Sequence, residues 1–292
     1  MFEKTLVATD LSSASEVIVN HLGELRKVGA KECLLVKCIK SGEADSFVIA
    51  RDREFFRSAM EKQKQALEKQ GFIASAEIAT GNVHTEINRM AKERDCSLIV
   101  IGSHGHSLAG EIFLGGAATN IIQNAVKPVL IMRLKKGEKT ASLQRKEWSV
   151  NKHILFPTDF SDNAGIAFSY VKELAKTGAE KVTLLHVQDN SKISPHLDRK
   201  LEEFNRIDEK RLEEMEKSLE GVKDVESKIA YGFPVREIME VIREKGVTQV
   251  VMGSQGRGYI YDIFVGSVSQ QTARMSPVPV LLIPVEKRVW PG

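Results

Sequence analysis

The sequence predicts an α/β protein of two tandem domains, each a five-stranded parallel sheet flanked by helices on both faces. Three observations predict it. Short apolar runs alternate with longer amphipathic stretches, the strand and helix alternation that right-handed crossovers fold into a parallel sheet. That order is written twice. Both copies also carry the same glycine spacing: Val250-Val251-Met252 ends in Gly253-Ser254-Gln255-Gly256, with Gly266-Ser267 nine residues on. In the other copy, 151 residues earlier, Ile99-Val100-Ile101 ends in Gly102-Ser103-His104-Gly105, and Gly115-Gly116 follows after nine residues. Ile112-Phe113-Leu114 is echoed by Ile263-Phe264-Val265, so duplication explains the spacing better than coincidence does.

In the first half, Thr5-Leu6-Val7-Ala8-Thr9-Asp10 reads as a strand ending in an acid. Ser13 with Glu16 forms a capping-box pattern, so a helix should follow, turning Val17, Leu22 and Leu25 inward until Gly29 ends it. Residues 33–39 are nearly all apolar, as a strand buried on both faces of a parallel sheet should be. A charged helix ending near Gln70-Gly71, a strand over 73–79, a helix over 83–94 and a strand over 97–101 come next. Beyond the glycine motif, a helix over 116–125 and a strand over 128–134 complete the half.

The second half repeats the order: strand 154–158 with Asp159, helix 161–177, strand 181–187 and a long helix over 195–219. Leu201, Phe204, Leu212, Met215 and Leu219 form the apolar stripe of that helix and are expected in the core. A strand over 225–230, a helix over 234–245, a strand over 248–252, the motif, a helix over 267–275 and a strand over 278–285 follow. The domains are therefore expected over 1–135 and 151–288, with 136–150, rich in Lys, Glu, Gln and Ser, as a linker.

A formal charge of +3 over 292 residues, with both signs abundant, gives no footprint for nucleic acid or an acidic membrane. No apolar run approaches the roughly 18 residues of a membrane span, and Met1-Phe2-Glu3-Lys4 leads into a strand instead of a signal peptide. A soluble, cytoplasmic protein is expected. Cys33, Cys38 and Cys96 lack CxxC spacing and read as small buried hydrophobes of a reducing compartment. His104 and His106 have a His-x-His spacing that can ligate zinc, but Gln255 and Arg257 replace them in the second copy and no acid or cysteine cluster joins them. No metal site is expected.

The glycine motif has a definite chemistry: a strand stops, glycines let backbone approach a ligand closely, and a helix N-terminus presents free N–H groups to an anion. In an open parallel sheet, ligands bind beyond the carboxyl ends of the strands, where the strand order reverses. Asp10 and Asp159 end first strands, and Gly102 and Gly253 end fourth strands. If those strands are neighbours, the acid can take ribose hydroxyls while loop and helix take phosphates. The alternative, that each aspartate only caps the next helix or pins a turn, stays open.

This constellation resembles the universal stress protein family over nearly the whole chain. The resemblance rests on Val7-Ala8-Thr9-Asp10 and Phe156-Pro157-Thr158-Asp159, and on the Gly-x2-Gly-x9-Gly-Ser/Thr signature of its ATP-binding members. It implies two tandem Rossmann-like domains and, in the second copy, an adenine site formed by the backbone near Val187 with Thr158 and Met252 lining the base pocket. Asp159 would meet ribose, Gly253 and Gly256 ribose and phosphate, and Gly266, Ser267, Val268 and Ser269 the phosphates. Gln255 and Arg257 share that loop, where Arg257 could reach a phosphate or simply face solvent. Thr9, Asp10, Cys38, Gly102, Gly105, Gly115 and Gly116 are the matching positions of the first copy. That copy departs from the signature: Gly116 stands where Ser or Thr is wanted, Ala117-Ala118 replaces Val268-Ser269, Ala8 replaces Pro157 and Cys38 replaces Val187. Two hydroxyl donors are missing. Each lost hydrogen bond to a charged oxygen costs about 1.5 to 3 kcal/mol, so the first site should be weaker by about tenfold or more.

The ligand so implied is ATP, ADP or AMP, with Mg2+ able to accompany the phosphates although no dedicated protein ligand for it can be named. Single-domain relatives pair their last strands across a two-fold axis. Val129-Leu130-Ile131-Met132 and Val280-Leu281-Leu282-Ile283 are accordingly expected to pair within one chain, a homodimer of whole chains being a further option. The functional expectation is a nucleotide-dependent stress-response or signalling module. A slow ATPase or phosphotransferase is the alternative, against which stand the missing Walker pattern and the lack of a convincing base. A scaffold without nucleotide is the third, and the intact second signature argues against it.

Overall fold

The computed structural model describes residues 1–39, 49–103, 114–136, 141–143, 148–189, 201–255 and 266–285. They belong to two compact units, one formed by Met1–Lys146 with Pro284–Gly292 and one by Glu147–Ile283. The first unit contains β1 (Lys4–Thr9), α1 (Ser13–His21), a 3-10 helix (Leu22–Val28), β2 (Glu32–Ile39), α2 (Ile49–Lys69), β3 (Ile73–Thr80), α3 (Val83–Glu93), β4 (Leu98–Gly102), α4 (Gly116–Gln123) and β5 (Val129–Met132). Its strands run in parallel in the order β5-β4-β1-β2-β3. The second contains β8 (His153–Thr158), α5 (Asp162–Lys176), β9 (Lys181–Asp189), α6 (Leu201–Lys217), β10 (Asp224–Gly232), α7 (Pro234–Lys245), β11 (Gln249–Gly253), α8 (Ser267–Met275) and β12 (Val280–Ile283), paired in the order β12-β11-β8-β9-β10. In each unit the order reverses between the first and fourth strands. That switch point opens a crevice at their carboxyl ends.

Burial follows from sequence. The central strands are apolar on both faces, as Leu155, Phe156, Leu184, Leu185, Val250 and Val251 show, because helices cover both sides. α5 turns Ala164, Ala167, Val171 and Leu174 inward at helical spacing, and the Phe168 ring lies 5.4 Å from that of Phe156. α7 begins with Pro234 at its first turn and stops at Gly246, whose φ of 66° closes the helix in the left-handed region.

Four expectations need correction. The N-cap of α1 is Ser12, one residue before the expected Ser13: its hydroxyl accepts the Ser15 N–H at 3.3 Å. Asp10 fixes the helix start there, accepting the Ser12 N–H at 3.0 Å while Leu11 takes a φ of 64°. The strand expected over 128–134 ends at Met132. Part of the stretch read as linker forms an antiparallel pair, β6 (Leu134–Lys136) with β7 (Ala141–Leu143), too short and too polar for alternation to reveal. Of the α6 stripe, Leu212 and Leu219 are buried, but Phe204 is 39 % exposed and Leu201 has no described side chain. The part of the predicted helix before Leu201 lies outside the described residues.

The cysteines carry no disulfide. Burial pushes the Cys33 thiol up to about 12 and the Cys38 thiol up to about 11, so both are thiols at neutral pH. No described helix is long and apolar enough to cross a membrane.

Candidate nucleotide site

The second unit holds a cavity of about 620 Å³ at the carboxyl ends of its strands. β8 contributes Thr158 and the following Asp159, β9 contributes Val187, and β11 contributes Met252 and Gly253 with Gln255 just beyond. The first turn of α8 completes that side with Ser267, Val268 and Ser269, preceded by Gly266. Ten of the twelve positions singled out in the second copy therefore line one cavity. Gly256 and Arg257 lie outside the described residues, as do Gly105, His104 and His106.

The turn after β8 is built by Asp159. Its Oδ1 accepts the Ser161 N–H at 3.1 Å and the Ser161 hydroxyl at 2.7 Å, and Ser161 caps α5 by accepting the Ala164 N–H at 3.2 Å. Phe160 between them has a φ of 58°, a conformation bulky residues rarely adopt, and Thr158 Oγ1 supports it by accepting the Phe160 N–H at 3.0 Å. The first unit repeats the turn: Asp10 Oδ1 accepts from Ser12 N–H and from the hydroxyls of Ser12 and Ser15, and Thr9 Oγ1 accepts the Leu11 N–H at 3.0 Å. Each aspartate thus pins a turn, and in the second unit the same side chain also faces the cavity.

The glycine motif is held shut at its base. Gly266 N–H donates to the Ser254 carbonyl at 2.7 Å, as Gly115 N–H does to Ser103 at 2.9 Å in the first unit. Gly266 has no side chain with which to cap α8, so the first turn of the helix, whose Ser267, Val268 and Ser269 line the cavity, has no side-chain cap. This is the electropositive end of the helix. Ser269 behaves differently from expectation: its hydroxyl donates inward to the Gly253 carbonyl at 2.9 Å, tying α8 to the end of β11. Its amide, not its hydroxyl, remains for an anion. In the first unit Gly115 likewise precedes α4 without a side-chain cap, with Gly102 ending β4 and Cys38 near the end of β2. Gly116 begins α4 with open space where a Cβ would be.

Several residues of the site were not singled out in the sequence. Asn163, on the first turn of α5, donates from Nδ2 to the Gln255 carbonyl at 2.8 Å. That amide would lie 2.6 Å from a Cβ built on Gly253, so the missing side chain makes room for Asn163. α6 forms a wall the glycine motif did not foretell. Phe204 and Ile207, 39 % and 44 % exposed, line the cavity beside Asp208 and Arg211. Their signal was present: two apolar residues three apart, followed by Asp208 and Arg211 on the same helical face. Gln188 Nε2 donates to Asn205 Oδ1 at 2.9 Å and to Asp208 Oδ2 at 3.1 Å, and Arg211 Nη1 lies 3.3 Å from Asp208 Oδ1. His186, nearly buried on β9, places Nδ1 2.8 Å from the Thr158 carbonyl and Nε2 3.3 Å from Asp208 Oδ2. Among the described residues no group of three His, Cys, Asp or Glu side chains could hold a metal ion.

A cavity of this size, with a carboxylate at one side and an uncapped helix N-terminus at another, suits a sugar joined to phosphates. Comparison with known proteins shows the family. The model of the universal stress protein family matches residues 1–133 and 151–284. A universal stress protein of Methanocaldococcus jannaschii is 34 % identical over 152 residues, covering 45 % of this chain and 94 % of the relative. Another, from Mycolicibacterium smegmatis, is 24 % identical over 245 residues, 81 % of this chain and 79 % of its own. The crystal structure of a universal stress protein from Archaeoglobus fulgidus superposes with a TM-score of 0.75 over 97 % of this chain and 99 % of that one, at 24 % identity, a likeness of fold.

Proposed function

Since the chain belongs to the universal stress protein family through both of its halves, we propose that its second unit binds an adenine nucleotide and that occupancy serves a stress-response or signalling role. One observation carries the reading: Asp159, the end of β11 and the uncapped first turn of α8 converge on one cavity of about 620 Å³. Asp159 takes the ribose hydroxyls, the amides of Ser267, Val268 and Ser269 take phosphate oxygens, and the backbone near Val187 with Thr158 and Met252 receives the base. Gly256 belongs to the same proposal through the signature, and Arg257 through the loop the two residues share. ATP is the first candidate, with ADP and AMP sharing its base and sugar. Any Mg2+ would ride on the phosphates. The last strands, β5 and β12, are proposed to pair within the chain, which separately expressed halves would reveal by dimerising.

The test is direct. Purified full-length protein is analysed for bound nucleotide, titrated with ATP by calorimetry, and incubated for hours with the phosphate chain followed by chromatography. Saturable binding, lost or strongly weakened in Asp159→Ala, with ATP recovered intact, is the expected result. Multiple turnovers abolished by Asp159→Ala would replace it with the enzyme reading, and no binding at all with the scaffold reading.

A further inference from the structure

One side chain in the cavity wall has its two polar atoms assigned by its neighbours. Gln188, near the end of β9, lines the cavity and is only 8 % exposed. Its Nε2 donates to Asp208 Oδ2 at 3.1 Å and to Asn205 Oδ1 at 2.9 Å, both on α6. A carboxylate only accepts, so the amide nitrogen must be the atom that meets Asp208. That nitrogen has two hydrogens, and these two contacts use both. What Gln188 has left is Oε1, an acceptor with no partner among the described residues, on a side chain whose small exposed part opens on the cavity. The tie to α6 needs only the nitrogen and does not account for the oxygen.

An acceptor oxygen this deeply set calls for a donor, and the proposed ligand carries one. The nucleotide reading brings the base to the backbone near Val187, the residue before Gln188. Adenine has an exocyclic amino group where guanine has an exocyclic oxygen. Against Oε1 the amino group makes a hydrogen bond, whereas the oxygen sets acceptor against acceptor and leaves both unpaired. Asp208 makes the choice firm. Were the amide to turn over and offer its nitrogen to the ligand, its oxygen would face a carboxylate. The first unit has no such group: Thr9 pairs with Lys37 as Thr158 pairs with His186, so Ile39 stands at the register of Gln188. An isoleucine side chain neither donates nor accepts.

We propose that Gln188 is a specificity-determining residue of the nucleotide site, its Oε1 accepting the amino group of the base and so selecting adenine over an oxygen-bearing purine. Asp208 is the positioning residue that keeps the amide in that orientation. The proposal rests on the nucleotide reading above and adds to it the side chain that distinguishes one purine from another.

The experiment titrates the full chain with ATP and with purine riboside triphosphate, which has the same sugar and phosphates and lacks only the amino group. The ratio of the two affinities is the readout. Wild type is compared with Gln188→Met, which removes the amide, with Gln188→Lys, whose ammonium still donates to α6 but accepts nothing, and with Asn205→Ala. Wild type should prefer ATP, and both Gln188 variants should lower that preference by about tenfold. Asn205→Ala should keep it, because Asp208 still holds the amide. A wall that is merely loosened weakens both triphosphates together and leaves the ratio unmoved. Either Gln188 variant suffices should the other fail to fold. Equal affinity of wild type for the two triphosphates, or an unchanged ratio in a folded Gln188 variant, overturns the proposal and leaves the nucleotide reading standing. So does an equal fall of the ratio in Asn205→Ala. Binding of neither triphosphate to wild type overturns the nucleotide reading, and the role of Gln188 with it.

Discussion

Gly253 shows why a single hydrogen in place of a side chain shapes the site. A Cβ there would stand 2.6 Å from Asn163 Nδ2, 3.0 Å from its Cγ and 3.2 Å from the Gln255 carbonyl oxygen. Asn163 is buried and holds Gln255 by a hydrogen bond, so it cannot swing away without abandoning the loop. Gly253→Ala should destabilise by about 1–3 kcal/mol through overpacking. In an Asn163→Ala background the same substitution should cost far less, leaving only the carbonyl contact. Denaturant unfolding of the four proteins in this cycle measures the coupling, and additive effects would show that the two side chains do not compete for one space. At this scale the sequence was half informative. The spacing of Gly253, Gly256 and Gly266 marked the motif, but the partner that requires Gly253 lies 90 positions earlier and has Ala14 as its counterpart, so no repeat could flag it. The direction of the Ser269 hydroxyl was not legible for a related reason: it is set by a carbonyl 16 residues away.

Helices and strands were legible where periodicity and caps agree. α7 and α8 begin and end where Pro234, Gly246 and the Gly266-Ser267 junction indicate. α6 was legible as a helix but not in its purpose, because an apolar stripe reads the same whether it meets a core or a cavity. Replacing Phe204 and Ile207 together by Ser should therefore leave stability within about 0.5 kcal/mol per site. The same pair should weaken ATP binding by about tenfold through loss of the apolar wall. Thermal unfolding and calorimetric titration separate the two effects, and a large stability loss without an affinity loss would return both residues to the core. At the other end of the second sheet, β10 is fastened by Glu226. Burial alone would raise its carboxyl, but hydrogen bonds from Lys245 and Thr183, with Lys181 close by, bring it down to about 2. A carboxylate lower in the folded chain than its ordinary 4.5 stabilises above that value and loses the stabilisation as pH falls toward about 2. The unfolding midpoint should drop through this window, and Glu226→Gln should flatten that part of the profile. An identical acid profile in the variant would remove Glu226 from the account.

The duplication gives each unit the same turn and the same closed motif, yet not the same chemistry. Asp10 and Asp159 are wired alike, and Gly115 and Gly266 close on Ser103 and Ser254 alike, so the scaffold of the proposed site is present in both. What differs is the first turn of the last helix. Ser267 supplies a hydroxyl where Gly116 has none, and Ser269 anchors α8 to the Gly253 carbonyl where Ala118 has no group to anchor α4. The first unit therefore lacks a donor and also the tie that holds the amides in place, two losses that would act on the same phosphates of the proposed ligand. Calorimetric titration of the full chain with ATP should give one strong equivalent, with any second event weaker by about tenfold or more. Asp159→Ala should remove the strong event and Asp10→Ala should leave it. Introducing Gly116→Ser with Ala118→Ser should strengthen the weak event, since the double change returns both the donor and the anchor to a turn that is otherwise the same. Two equal sites in the unmodified chain would mean that backbone amides alone suffice, and that the serines of α8 serve the helix more than the ligand.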